Sequence, residues 1–147
     1  MGAVSSEDGR QEVLGFWSVT TSSRTPLPER LRAIHDEISS RIAAVGPDEV
    51  AVEDVFQARN VRSALKLGHA RGVALLAAAQ RSVPIFEYAP REVKKSVVGV
   101  GSASKDQVAS MIGRLLGVDV SSMKADESDA LAVALCHIHK RDGSPFG

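Results

Sequence analysis

Short runs rich in β-branched residues alternate along this chain with segments of helical period, and that alternation constrains the fold more than any other feature. EVLGFWSVT at residues 12–20 carries Val13, Leu14, Phe16, Trp17 and Val19 and reads as a strand. Asp8-Gly9 before it is a strong turn signal, so GAVSS is expected to end a partner strand. After the loop TPLPE, Leu31, Ile34, Ile38, Ile42 and Val45 follow the 3–4 spacing of one apolar helix face, which Gly46-Pro47 should stop. EVAVEDVF reads as a buried strand with Glu53 near its carboxyl end. A small-residue helix over roughly 61–81 follows, with ARGVALLAAA as its buried part, then a short strand from Val83 to Tyr88. Pro90 suits the first turn of a further helix. Ser104-Lys-Asp-Gln107 is a capping-box pattern opening a helix that Gly117 should end. A last helix is expected over about 125–140. Strands mixed with helices in this way indicate one α/β domain spanning residues 1–147.

Charge is balanced overall but not along the chain. Residues 1–58 hold 5 basic and 10 acidic side chains, and residues 96–147 hold 5 and 6. Residues 59–95 hold 8 basic against 2 acidic, including Arg59, Arg62, Lys66, Arg71, Arg81, Arg91, Lys94 and Lys95. A basic centre between acidic ends suits a protein that meets a polyanion at one face and a metal at another; a solvated helix surface is the plainer account. Cys136 is the only cysteine, which excludes an internal disulfide and a thiolate zinc cage. No apolar run approaches the ~20 residues that span a bilayer, and MGAVSSED lacks the regions of a signal peptide. A cytoplasmic protein without membrane partners is expected.

The chemistry-bearing candidates are acids. Glu53 sits inside an apolar run, where a carboxylate is costly unless paired or bound to a cation. Asp126 and Asp129 lie three apart at the start of the last helix and share a face. Acids also suit a helix amino terminus for plain electrostatic reasons. Oxygen-only ligands point to a hard cation such as Mg²⁺ or Mn²⁺. Glu127 is expected to face solvent, or to serve as a spare acid. His137 and His139 point in different directions on a helix and read as structural or surface residues. The Gly99–Gly101 loop lacks P-loop spacing and reads as a turn that lets backbone approach something closely.

VEDVFQARNVRSALKLGHARGVALLAAA, VPIFEYAPREVKKSVVGVGSASKDQV and DESDALAVALCH are similar to blocks of the RuvC family of Holliday-junction endonucleases. The resemblance runs from about residue 10 to residue 140. It implies a ribonuclease-H-like mixed sheet flanked by helices, and a homodimer acting on four-way junction DNA. It also implies Mg²⁺-dependent hydrolysis with two ions per site (Mn²⁺ being possible), and work beside the RuvA and RuvB proteins. Glu53, Asp126 and Asp129 match the family's metal ligands. Lys94 and Lys105 match lysines of DNA contact and catalysis, and Phe56 matches an aromatic used against bases. Arg59, Arg62 and Lys66 are weaker candidates for phosphate contact. One element of the pattern has no counterpart: the family opens on a central strand reading approximately Gly-Ile-Asp-Pro-Gly, whose aspartate is a further ligand. Without it, the strand holding Glu53 is expected to lack a row of partners and the chain to cut weakly or not at all. The expected cause is a start placed about 15–20 residues late. The alternative is a non-cutting protein that binds branched DNA, or an inactive fragment.

Overall fold

Asp8 and Gly9 both take positive φ, 49° and 78°, the signature of a two-residue turn whose twist matches a β-hairpin. They join β1 (Gly2–Glu7) to β2 (Arg10–Phe16). The strands pair antiparallel from Glu7↔Arg10 to Gly2↔Phe16, with a bulge between Ala3 and Val4. The strand predicted to reach residue 20 therefore ends at Phe16, beyond which Trp17 N–H still donates to the Met1 carbonyl at 2.8 Å. The computed structural model describes residues 1–54 and 61–143. These fall into two compact units, residues 1–18 with 88–147, and residues 19–87.

In the first unit the hairpin meets α5 (Ala125–Arg141). Contact is close at Gly2, where an added Cβ would lie 2.8 Å from Leu131 Cδ2 and 3.2 Å from the Leu131 nitrogen. α5 also packs against α3 (Pro90–Val98) and α4 (Lys105–Leu116). Tyr88, Val93, Val97, Ala103, Val108, Ile112, Leu131, Leu135 and Cys136 form the buried core between these helices. Each large side chain among them contributes about 1.5–3 kcal/mol by leaving water. The predicted capping box is present at α4: Gln107 N–H donates to Ser104 Oγ at 3.2 Å, and Ser104 N–H donates to Gln107 Oε1 at 2.8 Å. Gly117 ends that helix in the left-handed conformation, φ 66°.

In the second unit α1 (Leu27–Val45) runs along α2 (Val61–Ala79). Leu31, Ile34, Ile38, Ile42 and Val45 are half-buried, as their spacing predicts, and Gly46 N–H caps the end by donating to the Ile42 carbonyl at 2.9 Å. β3 (Val50–Glu53) pairs with β4 (Ile85–Tyr88), the one strand partner that β3 has among the described residues. α2 buries the part expected of it, ARGVALLAAA, in its second half. Ala77 and Ala78 are fully buried, but the first half of the helix is exposed, with Val61 at 76% and Leu65 at 59%. No helix of the described residues is long and apolar enough to cross a membrane.

Candidate metal centre

The first turn of α5 presents the acidic pair. Chain entering this helix is extended at Lys124, with ψ 152°, so the first helical N–H groups need acceptors. Glu127 supplies one by turning back: its Oε2 accepts the Lys124 N–H at 3.0 Å, and its Oε1 accepts the Ser18 hydroxyl at 2.7 Å. Glu127 is therefore 9% exposed rather than solvent-facing, which corrects the sequence expectation. Those two hydrogen bonds, the backbone one first, hold its carboxyl below the ordinary glutamate range. The third helical position is a known place for such an acid. Only the fold, however, brings Ser18 to it.

With Glu127 turned inward, its neighbours stay outward. Asp126 is exposed and Asp129, one turn on, is half-buried. Lys105, at the start of α4, donates from Nζ to Asp129 Oδ2 at 2.6 Å. The Met1 ammonium lies in the field of the same turn: burial lowers its pKa, while the carboxylates of Glu127 and then Asp126 raise it. This turn thus holds Lys105 as a paired cation, while burial disfavours the charged form of the Met1 amine. The turn's donors are carboxylate oxygens without thiol or imidazole, so the residues present fit a hard cation.

The remaining sequence candidates lie on other elements of the two units. Lys94 is half-buried on α3, and Lys66 is exposed on α2. Glu53 ends β3 in the other unit, half-buried. Phe56 and Arg59 lie outside the described residues, as does the side chain of Arg62. Within neither unit do three His, Cys, Asp or Glu side chains of the described residues gather as a metal-binding group.

His137 and His139 have separate partners. Tyr88 hydroxyl and His137 Nδ1 are 2.7 Å apart in the core, while Ser96 Oγ and His139 Nδ1 are 3.2 Å apart. Burial raises the Cys136 thiol pKa, opposed by a hydrogen bond with Ser96. Gly101 serves close approach, since an added Cβ would sit 3.1 Å from the Arg91 carbonyl oxygen. Sequence reasoning missed the Tyr88–His137 pair and the partners of Arg71, which join residues far apart in the chain.

The acid limb of stability follows from Glu127. A depressed folded-state pKa stabilises the fold above the ordinary glutamate value and loses that contribution as pH falls through the folded value. Glu127→Gln keeps an acceptor oxygen but cannot titrate. Thermal midpoints measured between about pH 7 and pH 3 should therefore fall less steeply in this variant. Some slope should remain from Glu92, lowered chiefly by Lys140, and from Asp119, lowered chiefly by the Ser121 hydroxyl. An unchanged slope would deny Glu127 this role.

An α/β fold that sets carboxylates on a helix first turn, with a lysine against one of them, offers the oxygen donors that metal-dependent hydrolases use. The family model for crossover junction endodeoxyribonuclease RuvC matches residues 1–137. The chain is 45% identical to the crossover junction endodeoxyribonuclease RuvC of Maricaulis maris over 146 residues, covering 99% of this chain and 87% of that protein. It is 49% identical to the Myxococcus xanthus protein of that name, also over 146 residues, with 98% and 76% covered. Its fold superposes on T. thermophilus RuvC in complex with Holliday junction substrate with a TM-score of 0.89, 34% identity, and 97% and 88% of the two chains covered. This chain belongs to the RuvC family of crossover junction endodeoxyribonucleases, a family of metal-dependent nucleases.

Proposed function

We propose that this chain resolves Holliday junctions in DNA recombination and repair, by hydrolysis of phosphodiesters near the crossover. The observation that carries the reading is the first turn of α5, where Asp126 and Asp129 face outward with Lys105 held against Asp129, in a chain that matches RuvC proteins over nearly its whole length. Glu53, Asp126 and Asp129 would hold Mg²⁺, or Mn²⁺, as a pair of ions. Bound there, the ions supply an activated water and charge stabilisation at the leaving oxygen.

The chain's own residues do the rest. Lys105 stands one hydrogen bond from Asp129, a position from which an ammonium can hold the scissile phosphate and its developing charge. Lys94 adds a second cation from α3. Arg59, Arg62 and Lys66 follow the backbone, and Phe56 stacks on a base at the open branch point. Glu127 and Ser18 hold the α5 turn in place.

A second copy would cover the exposed Val61 and Leu65 of α2, giving the homodimer that a two-fold junction asks for. Family membership further supports action in the cytoplasm beside RuvA and RuvB.

A synthetic four-way junction tests the reading, incubated with Mg²⁺ or Mn²⁺ and this chain. A parallel reaction uses the chain preceded by the Gly-Ile-Asp-Pro-Gly strand that the family pattern carries. Paired nicks at the crossover, with two chains per junction and little cutting of matched duplex, are expected. Equal cutting of duplex, or no cutting by this chain, would overturn it; cutting by the extended form alone would make this chain the non-cutting binder of branched DNA.

A further inference from the structure

Arg71 belongs by sequence to the basic central block, yet its guanidinium is engaged inside the 19–87 unit. Its Nη2 lies 3.5 Å from Asp54 Oδ1 and forms an ion pair with Glu87 Oε2. Its Nε–H is buried and has no hydrogen-bond acceptor among the described residues. Pairing with two carboxylates is one reason for an arginine here.

The geometry supplies another reason. The three residues come from three elements: Arg71 from the middle of α2, Glu87 from β4, and Asp54 from the position directly after β3. Neighbouring side chains on extended backbone point to opposite sides, so the direction of Asp54 sets the direction of Glu53. The guanidinium meets both carboxylates through one nitrogen, Nη2. Anchored to β4 through Glu87 and reaching Asp54, it ties the exit of β3 to its neighbour strand.

We propose that Arg71 is a positioning residue for Glu53. By bridging Asp54 and Glu87 it fixes the end of β3, and the Glu53 carboxylate is thereby aimed as a metal ligand. The proposal rests on Glu53 being a ligand, as read above. It also sets Arg71 apart from the other charges of the basic block, because its own charge is taken up by two carboxylates.

The test uses Mn²⁺ binding to the full chain, followed by the electron paramagnetic resonance signal of free Mn²⁺. The variants are Glu53→Gln, Arg71→Met, Arg71→Lys and the Glu53→Gln/Arg71→Met double. Arg71→Met is expected to weaken binding about 10–100-fold, the usual effect of losing a group that orients a ligand. Arg71→Lys should bind more tightly than Arg71→Met, because the two carboxylates meet one nitrogen and an ammonium can donate to both. The double variant should bind no more weakly than Glu53→Gln alone, because Arg71 acts through Glu53. Four-way junction affinity and its salt dependence should not change in Arg71→Met, whereas a lost phosphate contact would reduce the salt slope by about 1.

Should Arg71→Met fail to fold by circular dichroism, Asp54→Asn removes one arm of the bridge and should weaken Mn²⁺ binding in the same direction. Wild-type Mn²⁺ affinity in folded Arg71→Met or Asp54→Asn overturns the proposal. So does an additive double variant, or a lowered salt slope. If Glu53→Gln itself binds Mn²⁺ like the parent, the Glu53 assignment fails and takes the Arg71 role with it. Loss in Glu53→Gln without loss in Arg71→Met sinks the Arg71 role alone.

Discussion

Asp129→Asn is expected to abolish metal-dependent cutting of a four-way junction while leaving junction binding intact. The substitution keeps the size of the side chain and one acceptor oxygen, but removes the charge that a hard cation requires. Losing a direct ligand should cost more than the about 10–100-fold seen when a group behind a ligand is lost. The fold should tolerate it. The Lys105–Asp129 pair lies at the surface, where such a pair contributes about 0–1 kcal/mol. Junction affinity comes mainly from neutralised phosphates, and Asp129 contributes none of that charge. Cleavage and gel-shift assays on the same junction, with a thermal melt as control, separate the two effects. An Asp129→Asn protein that still cuts would remove Asp129 from the metal centre.

The largest effect on stability is expected at Leu131, two residues further along α5. Its side chain is 0% exposed and lies against the β1 backbone at Gly2. Truncation to alanine leaves a cavity that neither the helix nor the hairpin can close without moving backbone, and should cost about 2–5 kcal/mol. That is a large part of the ~5–15 kcal/mol that holds a domain folded. For a chain of this length the midpoint should fall by roughly 5–15 °C. Leu115, 44% exposed on α4, is the control: its alanine variant should lie within about 0.5 kcal/mol of the parent. Equal shifts at the two positions would mean that the core has been misplaced. Because Leu131 shares a helix with Asp126 and Asp129, its variant should also loosen the acidic turn, and metal affinity should fall with stability.

The elements that could be read from the sequence are those whose signals are local. Asp8-Gly9 specifies its turn through the φ angles that two residues can adopt. Ser104 and Gln107 satisfy each other's backbone partners within four residues. Gly46 and Gly117 stop helices where a side chain would be strained. The half-buried stripe of α1 follows from spacing alone. The acidic pair was legible for the same reason, since three residues on a helix make a face whatever the helix touches.

The misread positions depend on partners far away in the chain. Glu127 looked solvent-facing because nothing near it in sequence announces Ser18, 109 residues earlier. Arg71 looked like one more surface charge because Asp54 and Glu87 reach it only after β3 and β4 pair.

The sequence by itself determined the order of strands and helices, their stops, and the acids Asp126 and Asp129 on one helical face, because backbone sterics and helical period act over a few residues. Only the tertiary structure decided which carboxylates remain for chemistry. Burial and hydrogen bonding across the fold turned Glu127 inward, set Lys105 on Asp129, and gave Arg71 to Asp54 and Glu87.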